Sequence, residues 1–316
     1  MIVTLTPNPS IDRTVSITDL HRGEVHRATA SRIDPGGKGV NISRALTAHK
    51  ARTLAVLPAG GPQGHLLAAL LAEAGIEVAI VPIGGSIRVN LALVEPDGTT
   101  TKINEPGPPM SKAELEALLA GAAATLAEQP TWLVGSGSLP PGVDDDLYAG
   151  LVRRCRAAGV SVAIDASGPA LRLAVGAGPD LIKPNLEELE ELVGRSLNTR
   201  GEVLSAATDL VARGVGTVLV SLGGHGALLV SASVTAHAVA PVSSPLSTVG
   251  AGDALLAGYL YATGSGSTPV DALCTGVAWG AAAVSLPGSR MPTPADVAGI
   301  QVSLTTEPDL TTPLKS

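Results

Sequence analysis

Ser247-Thr248-Val249-Gly250-Ala251-Gly252-Asp253 runs straight into the small-residue stretch Ala254-Leu255-Leu256-Ala257-Gly258. A helix that starts on such a turn presents unpaired main-chain N–H groups, and the positive end of its dipole, to whatever lies in front of it. An anion fits there, and Gly250 and Gly252 leave its approach clear of side chains. Asp253 then aims a carboxylate at the held anion. That arrangement can take a proton from a hydroxyl while the N–H groups of Gly250, Ala251 and Gly252 stabilise charge on a transferring group. An acid in a first turn also serves simply as a dipole partner, so the rest of the chain decides between the two readings.

A second glycine cluster, Pro35-Gly36-Gly37-Lys38-Gly39-Val40-Asn41, leads into a helical pattern at Ile42. It places main-chain donors, one cation and one amide at a loop-to-helix junction, which suits hydrogen bonding to a polyol and a nearby phosphate. It is not a Walker A loop, which requires Gly-Lys-Ser/Thr after a glycine and four residues. No strand-to-helix turn spells G-x-G-x-x-G either, so a dinucleotide-binding fold and a nicotinamide-dependent dehydrogenase are not supported.

The elements that must position these clusters alternate along the chain. Strands are predicted at 1–6, 53–57, 131–135, 161–165, 181–183 and 217–221. Helices are predicted at 39–49, 63–74, 111–127, 144–158, 199–213, 251–263 and 268–286. The rhythm predicts an α/β fold of βαβ units on a mostly parallel sheet, in one domain spanning 1–316. Two regions break it, 13–33 and 86–104, where β-type alternation has no intervening helix. Together they could form a small sheet that covers a cleft and excludes water, or they are edge strands of the main sheet.

With 316 residues, 45% of them hydrophobic and no Phe, the core must be built from Ala, Val, Leu and Ile. A net charge of −7 argues against nucleic acid or a membrane surface as partner. No apolar run approaches the roughly 20 residues that span a bilayer. The strand-like N-terminus lacks a basic region ahead of a long apolar core, so a cytoplasmic location is expected. Cys155 and Cys274 lack metal-ligand spacing and read as reduced thiols.

Gly36-Gly37-Lys38-Gly39-Val40-Asn41 resembles the first signature of the ribokinase-like carbohydrate kinases of the phosphofructokinase-B branch, and Thr248–Asp253 resembles the second. Their order and separation match, and the likeness runs from Met1 to about Arg290. Lys38, with Thr6-Pro7-Asn8-Pro9-Ser10-Ile11-Asp12, is most similar to the 1-phosphofructokinases and tagatose-6-phosphate kinases. The resemblance implies a three-layer α/β/α fold with a small β-sheet lid.

It also implies roles. Asp253 is the base, a weak one if it titrates near the ordinary value of about 4, and Gly250, Ala251 and Gly252 form the anion hole. Asp12, Gly37 and Asn41 bind sugar hydroxyls, and Ser136 lines the sugar pocket. Lys38, Arg88 and Lys102 meet the sugar phosphate, with Arg27 a weaker candidate. Lys183, Asn185, Ser221, Gly223 and Gly226 face the nucleotide. Asn185 and Glu188 organise Mg²⁺ through water, although Glu188 among Glu187, Glu190 and Glu191 also fits a solvated helix face. Ser247, Val249, Ala283, Gly288 and Arg290 match loosely the places that hold K⁺ in the family.

The implied function is transfer of a phosphoryl group from ATP to a ketohexose monophosphate, with fructose 1-phosphate first, tagatose 6-phosphate second and fructose 6-phosphate third. A non-catalytic sugar-phosphate sensor is the alternative of another class. The exposed β edges of a lid are also compatible with a homodimer.

Overall fold

The computed structural model describes residues 1–315. Its strands are β1 (Ile2–Leu5), β2 (Ser10–Ser16), β3 (Ala30–Gly36), β4 (Thr53–Ala59), β5 (Glu77–Pro82), β6 (Arg88–Val94) and β7 (Thr100–Asn104). They continue with β8 (Trp132–Ser136), β9 (Ser161–Asp165), β10 (Leu181–Ile182), β11 (Thr217–Ser221), β12 (Ala227–Ser231), β13 (Thr235–Val239) and β14 (Ser303–Thr305). The main sheet has the order β14-β13-β12-β11-β10-β9-β8-β1-β4-β5. From β11 to β5 every pairing is parallel, while β12, β13 and β14 add antiparallel at one end.

Parallel strands require crossovers that cover both faces of the sheet, and the chain supplies them with Ala- and Leu-rich helices. The core accordingly divides in two. Val3 and Leu5 of β1 pack into one half with Leu67, Leu71, Leu118 and Tyr148. Ile2 packs into the other with Ile42, Leu46, Leu256, Leu260 and Trp279. The period-two alternation of a strand thus sorts successive side chains of β1 between two helical layers.

A separate four-stranded sheet has the order β3-β2-β6-β7, with β2 and β6 parallel and both outer pairings antiparallel. It is the small sheet expected from 13–33 and 86–104, although its first strand starts at Ser10, so Asp12 lies within it. Asp12 pairs with Asp34 and Asn90, and Asn90 with Asn104. Partners across a ladder share a face, as do residues two apart. One lid face therefore carries Ser10, Asp12, Arg88, Asn90 and Lys102, and the other carries Arg13, Ile33, Leu91 and Ile103. Ile33 and Ile103 are exposed.

Candidate active site

Gly250 caps the helix Ala251–Gly264 with φ 79°, a left-handed conformation that a side chain would strain. A Cβ there would also collide with Met291 Cε, 2.5 Å away. Ala254 N–H is the donor to Gly250 O at 2.8 Å, closing the first helical turn. The N–H groups of Gly252 and Asp253 precede that bond and point out of the helix end. Ala251 N–H differs: it donates to Thr248 O at a long 3.4 Å, so it is less free to meet an anion than the N–H groups of Gly252 and Asp253.

Asp253 is buried, and its Oδ2 accepts from Asn41 Nδ2 at 2.8 Å. Asn41 stands on the helix Lys38–Ala48, which packs against the helix carrying Asp253, so the two glycine clusters meet at this one hydrogen bond. Burial, reinforced by the nearby Asp165 carboxylate, raises the Asp253 pKa to about 6, against the pull of Lys38, Asn41 and Lys183. The weak base expected from an ordinary aspartate is corrected by its surroundings, because removal from water penalises the charged form.

Lys38 is tied to the sheet edge: its Nζ donates to Asp165 Oδ1 at 2.7 Å and to Glu188 Oε1 at 3.2 Å. Burial lowers the Lys38 pKa, but Asp165, Glu188 and Asp253 outweigh burial and hold it raised. Lys183 approaches the same carboxylate, with Nζ 3.4 Å from Asp165 Oδ2. It also lies 3.3 Å from where a Cβ on Gly252 would be, which places a second ammonium against the helix tip. Asp165 is fully buried, and burial would raise its pKa; Lys183 and Lys38 reverse this and keep it lowered.

Asp165 is the residue that sequence reasoning missed. Its one signal is position, as the last residue of a predicted strand at 161–165. The carboxyl ends of parallel strands are where open α/β sheets build their sites. Ser136 ends β8, Asp165 ends β9, Lys183 follows β10 and Ser221 ends β11, so four neighbouring strands contribute one residue each to this edge.

Beyond β10, Asn185 caps the helix Leu186–Val193. Its Oδ1 accepts from Glu188 N–H at 2.7 Å, and Glu188 Oε2 accepts from Asn185 N–H at 2.9 Å. Asn185 forms an isolated bridge with Ser221, and the turn Gly223–His225 follows directly. Gly226 has no room for a side chain against Ala238 O. His237 is buried and its Nε2 lies 2.7 Å from His225 O, which ties β13 to the turn; His237 was not foreseen.

Both Glu188 oxygens are engaged, one by a main-chain N–H and one by Lys38, so a divalent cation would meet this carboxylate through water. Asp165 Oδ2 is buried without a hydrogen-bond partner and adds a second hard oxygen. Among the described residues there is no group of three or more His, Cys, Asp or Glu side chains able to hold a metal. Mg²⁺ fits such a donor set, because it retains most of its waters and leans on substrate phosphates.

On the lid, Asp12 Oδ1 accepts from Ser10 Oγ at 2.7 Å and Asn90 Nδ2 at 3.0 Å. Gly36 is glycine for room: a Cβ would clash with the Asp12 carboxylate. Arg88 donates to Glu105 O at 3.1 Å and Asn8 O at 3.0 Å. Lys102 is exposed on the polar lid face, two residues further along the ladder than Asp12, and Arg27 is exposed in the segment between β2 and β3. Ser136 and Thr6 are buried with unpartnered hydroxyls, and both crowd Gly39 in the first glycine cluster. Gly37, with φ 113°, precedes the same helix against Thr6 and Pro9.

The segment before Thr248 lies on the end of the helix Pro269–Val284, where Leu246 and Ser247 N–H both donate to Val284 O at 2.8 and 3.2 Å. That brings Ser247 and Ala283 together. Val249 N–H is bonded to Ser247 Oγ at 3.2 Å, and Gly288 and Arg290 lie in the loop beyond the helix.

Comparison with known proteins agrees with this geometry. The pfkB family carbohydrate kinase family matches residues 6–296. A 1-phosphofructokinase from Rhodobacter capsulatus is 38% identical over 306 residues, covering 96% of each chain. An ATP-dependent 6-phosphofructokinase isozyme 2 from Mycobacterium tuberculosis is 38% identical, over 91% of this chain and 85% of its own. Among solved structures, phosphofructokinase-2 from Escherichia coli in complex with substrates and products superposes with a TM-score of 0.88 at 33% identity, covering 94% of this chain and 97% of that one. The same enzyme in complex with potassium matches at 34% identity with a TM-score of 0.87, covering 94% of this chain and 96% of that one. With its ribokinase-like α/β fold and this sheet-edge constellation of acids, ammonium groups and a glycine-capped helix, the chain belongs to the pfkB family of carbohydrate kinases.

Proposed function

We propose that this kinase transfers the γ-phosphoryl group of MgATP to the free primary hydroxyl of fructose 1-phosphate, giving fructose 1,6-bisphosphate and ADP. The observation that carries the reading is the single hydrogen bond joining Asn41 to Asp253. It sets the substrate-side glycine cluster against the helix tip that would hold the migrating phosphoryl group.

In this reading the acceptor oxygen attacks the γ-phosphorus, the bond from phosphorus to the β–γ bridging oxygen breaks, and Asp253 takes the hydroxyl proton. The N–H groups of Gly252 and Asp253, with Gly250 as the cap, would hold the equatorial oxygens of the moving group, and Ala251 would assist less. Charge stabilisation and alignment supply most of the rate enhancement in such transfers. Lys38 and Lys183, anchored by Asp165 beside that tip, would bring positive charge to it. This replaces the expected contact between Lys38 and the sugar phosphate. Mg²⁺, when bound with ATP, would neutralise phosphate charge, with Asn185, Glu188 and Asp165 meeting its water shell.

Asp12, Gly37, Asn41 and Ser136 would bind the sugar, and Arg88 and Lys102 its phosphate. Ser221, Gly223 and Gly226 would receive the nucleotide through main-chain contacts. A monovalent ion such as K⁺ would sit between the Ser247–Val249 segment and Ala283, Gly288 and Arg290. A solved structure of the E. coli relative is in complex with potassium, which supports an ion of this kind. The chain would act as one kinase domain with its lid inserted at about 13–33 and 86–104. The exposed Ile33 and Ile103 on the outer lid face favour a homodimer through the lid. Free Cys155 and Cys274 suit a cytoplasmic setting, and no helix among the described residues is long and apolar enough to cross a membrane.

A 6-phosphofructokinase reading has equal identity behind it in the M. tuberculosis relative. A panel of fructose 1-phosphate, fructose 6-phosphate and tagatose 6-phosphate assayed with MgATP separates these readings. The expected result is a kcat/KM for fructose 1-phosphate at least about tenfold above the other two. A higher value for either competitor would reassign the substrate, and binding without turnover of all three would make the protein a sensor.

A further inference from the structure

Among the described residues, Arg44 is the one guanidinium that touches the lid, the Asn41 amide and the C-terminal loop together. It lies one turn beyond Asn41 on the helix Lys38–Ala48, on the same helical face. Its Nη1 donates to Asn41 Oδ1 at 2.9 Å, to Pro35 O at 3.1 Å, and to Ser289 O at 2.9 Å and Oγ at 3.4 Å. Its Nη2 reaches Asp34 Oδ1 at 3.5 Å, and Arg32 holds the same carboxylate from the solvent side at 2.7 and 2.8 Å. Only 11% of the Arg44 side chain is exposed.

An asparagine amide has one accepting end and one donating end, related by a half-turn about its side-chain bond. With the donor end facing Asp253 the amide stabilises the carboxylate; with the acceptor end facing it, two oxygens would repel. Arg44, a pure donor, accepts no arrangement but the first. It requires Asn41 Oδ1 on its own side and so sends Nδ2 to Asp253 Oδ2.

We infer that Arg44 is a positioning residue for the catalytic carboxylate: by fixing the Asn41 amide it pins Asp253 Oδ2, leaves Oδ1 to the acceptor hydroxyl, and makes this alignment depend on the lid strand at Asp34 and Pro35. The lid is thereby linked to the base through protein atoms alone, over Pro35 O, Arg44, Asn41 and Asp253. Burial, with the charged groups around Asp253 (Asp165, Lys38 and Lys183), dominates its affinity for a proton, whereas Arg44 sets the direction of its neighbour.

This inference rests on Asp253 being the base, and the experiment keeps the two apart. Arg44→Met, Arg44→Lys, Asn41→Ala and the double variant Asn41→Ala/Arg44→Met are compared by steady-state kinetics, with thermal melting as the control for folding. Arg44→Met is expected to lower kcat about 30-fold while KM for MgATP stays within about twofold, the pattern of a lost alignment rather than lost binding. Arg44→Lys, which keeps a donor for Asn41 Oδ1, is expected to restore much of the rate.

In the Asn41→Ala background the Arg44→Met change is expected to cost less than about threefold more, because a residue acting through another has nothing left to act on. The acid limb of the kcat profile should also move to higher pH in Arg44→Met, as the Asn41 donor to Asp253 is no longer fixed and a nearby positive charge is lost. Unchanged kcat in Arg44→Met, or losses that multiply in the double variant, overturn the inference. Should Arg44→Met fail to fold, the pair Asp34→Asn/Arg44→Met, which strands no carboxylate, replaces it alone and combined with Asn41→Ala, with Asp34→Asn as its reference. Asp253→Asn is assayed in parallel: full activity there refutes the base assignment itself, whereas its loss combined with multiplying Arg44 and Asn41 effects refutes the role of Arg44 alone.

Discussion

Lys38 and Asp165 form an ion pair of 2.7 Å at the carboxyl edge of the main sheet, joining the first glycine cluster to the end of β9 across 127 positions of chain. Asp165 is fully buried, so its charge survives only because Lys38 and Lys183 both attend it. A charge held in this way is expensive to strand, since removing one partner leaves the other unpaired away from water.

Lys38→Met should therefore show two effects. The variant melts at lower temperature, because Asp165 keeps only Lys183. In the folded fraction kcat falls about 100-fold with little change in KM for the sugar phosphate, as expected for a cation acting on the migrating group. A raised sugar-phosphate KM with unchanged kcat would return Lys38 to the role its sequence motif first implied.

The raised pKa of Asp253 sets a pH dependence in both rate and stability. As the proposed base, Asp253 must be ionised, so kcat/KM should fall about tenfold per unit below pH ~6. For stability the sign is opposite. The folded carboxyl binds its proton more tightly than the unfolded one, whose pKa is about 4. The stability this confers is complete below that value and is lost as pH rises through about 6. Asp253→Asn cannot ionise. It should have almost no turnover, yet melt above the wild type at pH ~7.5, with the gap narrowing toward pH ~5. Parallel melting curves for the two proteins at both pH values would show that burial does not perturb this carboxyl.

The parts of this arrangement that the sequence disclosed are those fixed by local chemistry. The Gly250 turn and the alternating lid strands each carry their signal within a few residues, and each forms close to where expected, whereas the helix Leu186–Val193 capped by Asn185 was not among the predicted elements. Asp165 carries only its place at a strand end and Arg44 carries none, because their importance comes from partners far along the chain. Lys38 was legible as a cation at a glycine cluster, but its direction depended on β9 and the cap at Asn185. The helix Gly168–Gly176 was hidden by its own ends: Gly-Pro at the start and a glycine at the finish read as turns. The hairpin of β12 and β13 was missed because its apolar run directly follows the Gly-rich turn.

Arg88 supplies the most direct test of how the lid selects a phosphorylated sugar. It pairs with Ser10 across the ladder, on the face that carries Asp12. Two of its nitrogens are fixed by the carbonyls of Glu105 and Asn8, while its Nε is buried without a partner. Burial lowers its pKa, only partly offset by Asp12 and Glu105, so this guanidinium is held short of full satisfaction. A dianionic phosphate would supply the missing acceptors, in the planar geometry that arginine recognises and lysine does not. Arg88→Ala should raise KM for fructose 1-phosphate about 30-fold and leave KM for MgATP within about threefold. Arg88→Lys should recover only part of the loss, because an ammonium restores charge without the fork. The exposed Lys102 has no such fixing, and Lys102→Met should cost less than about fivefold. If Arg88→Ala raised both KM values equally, the residue would be supporting the cleft as a whole, and the lid would have to find its phosphate through Lys102.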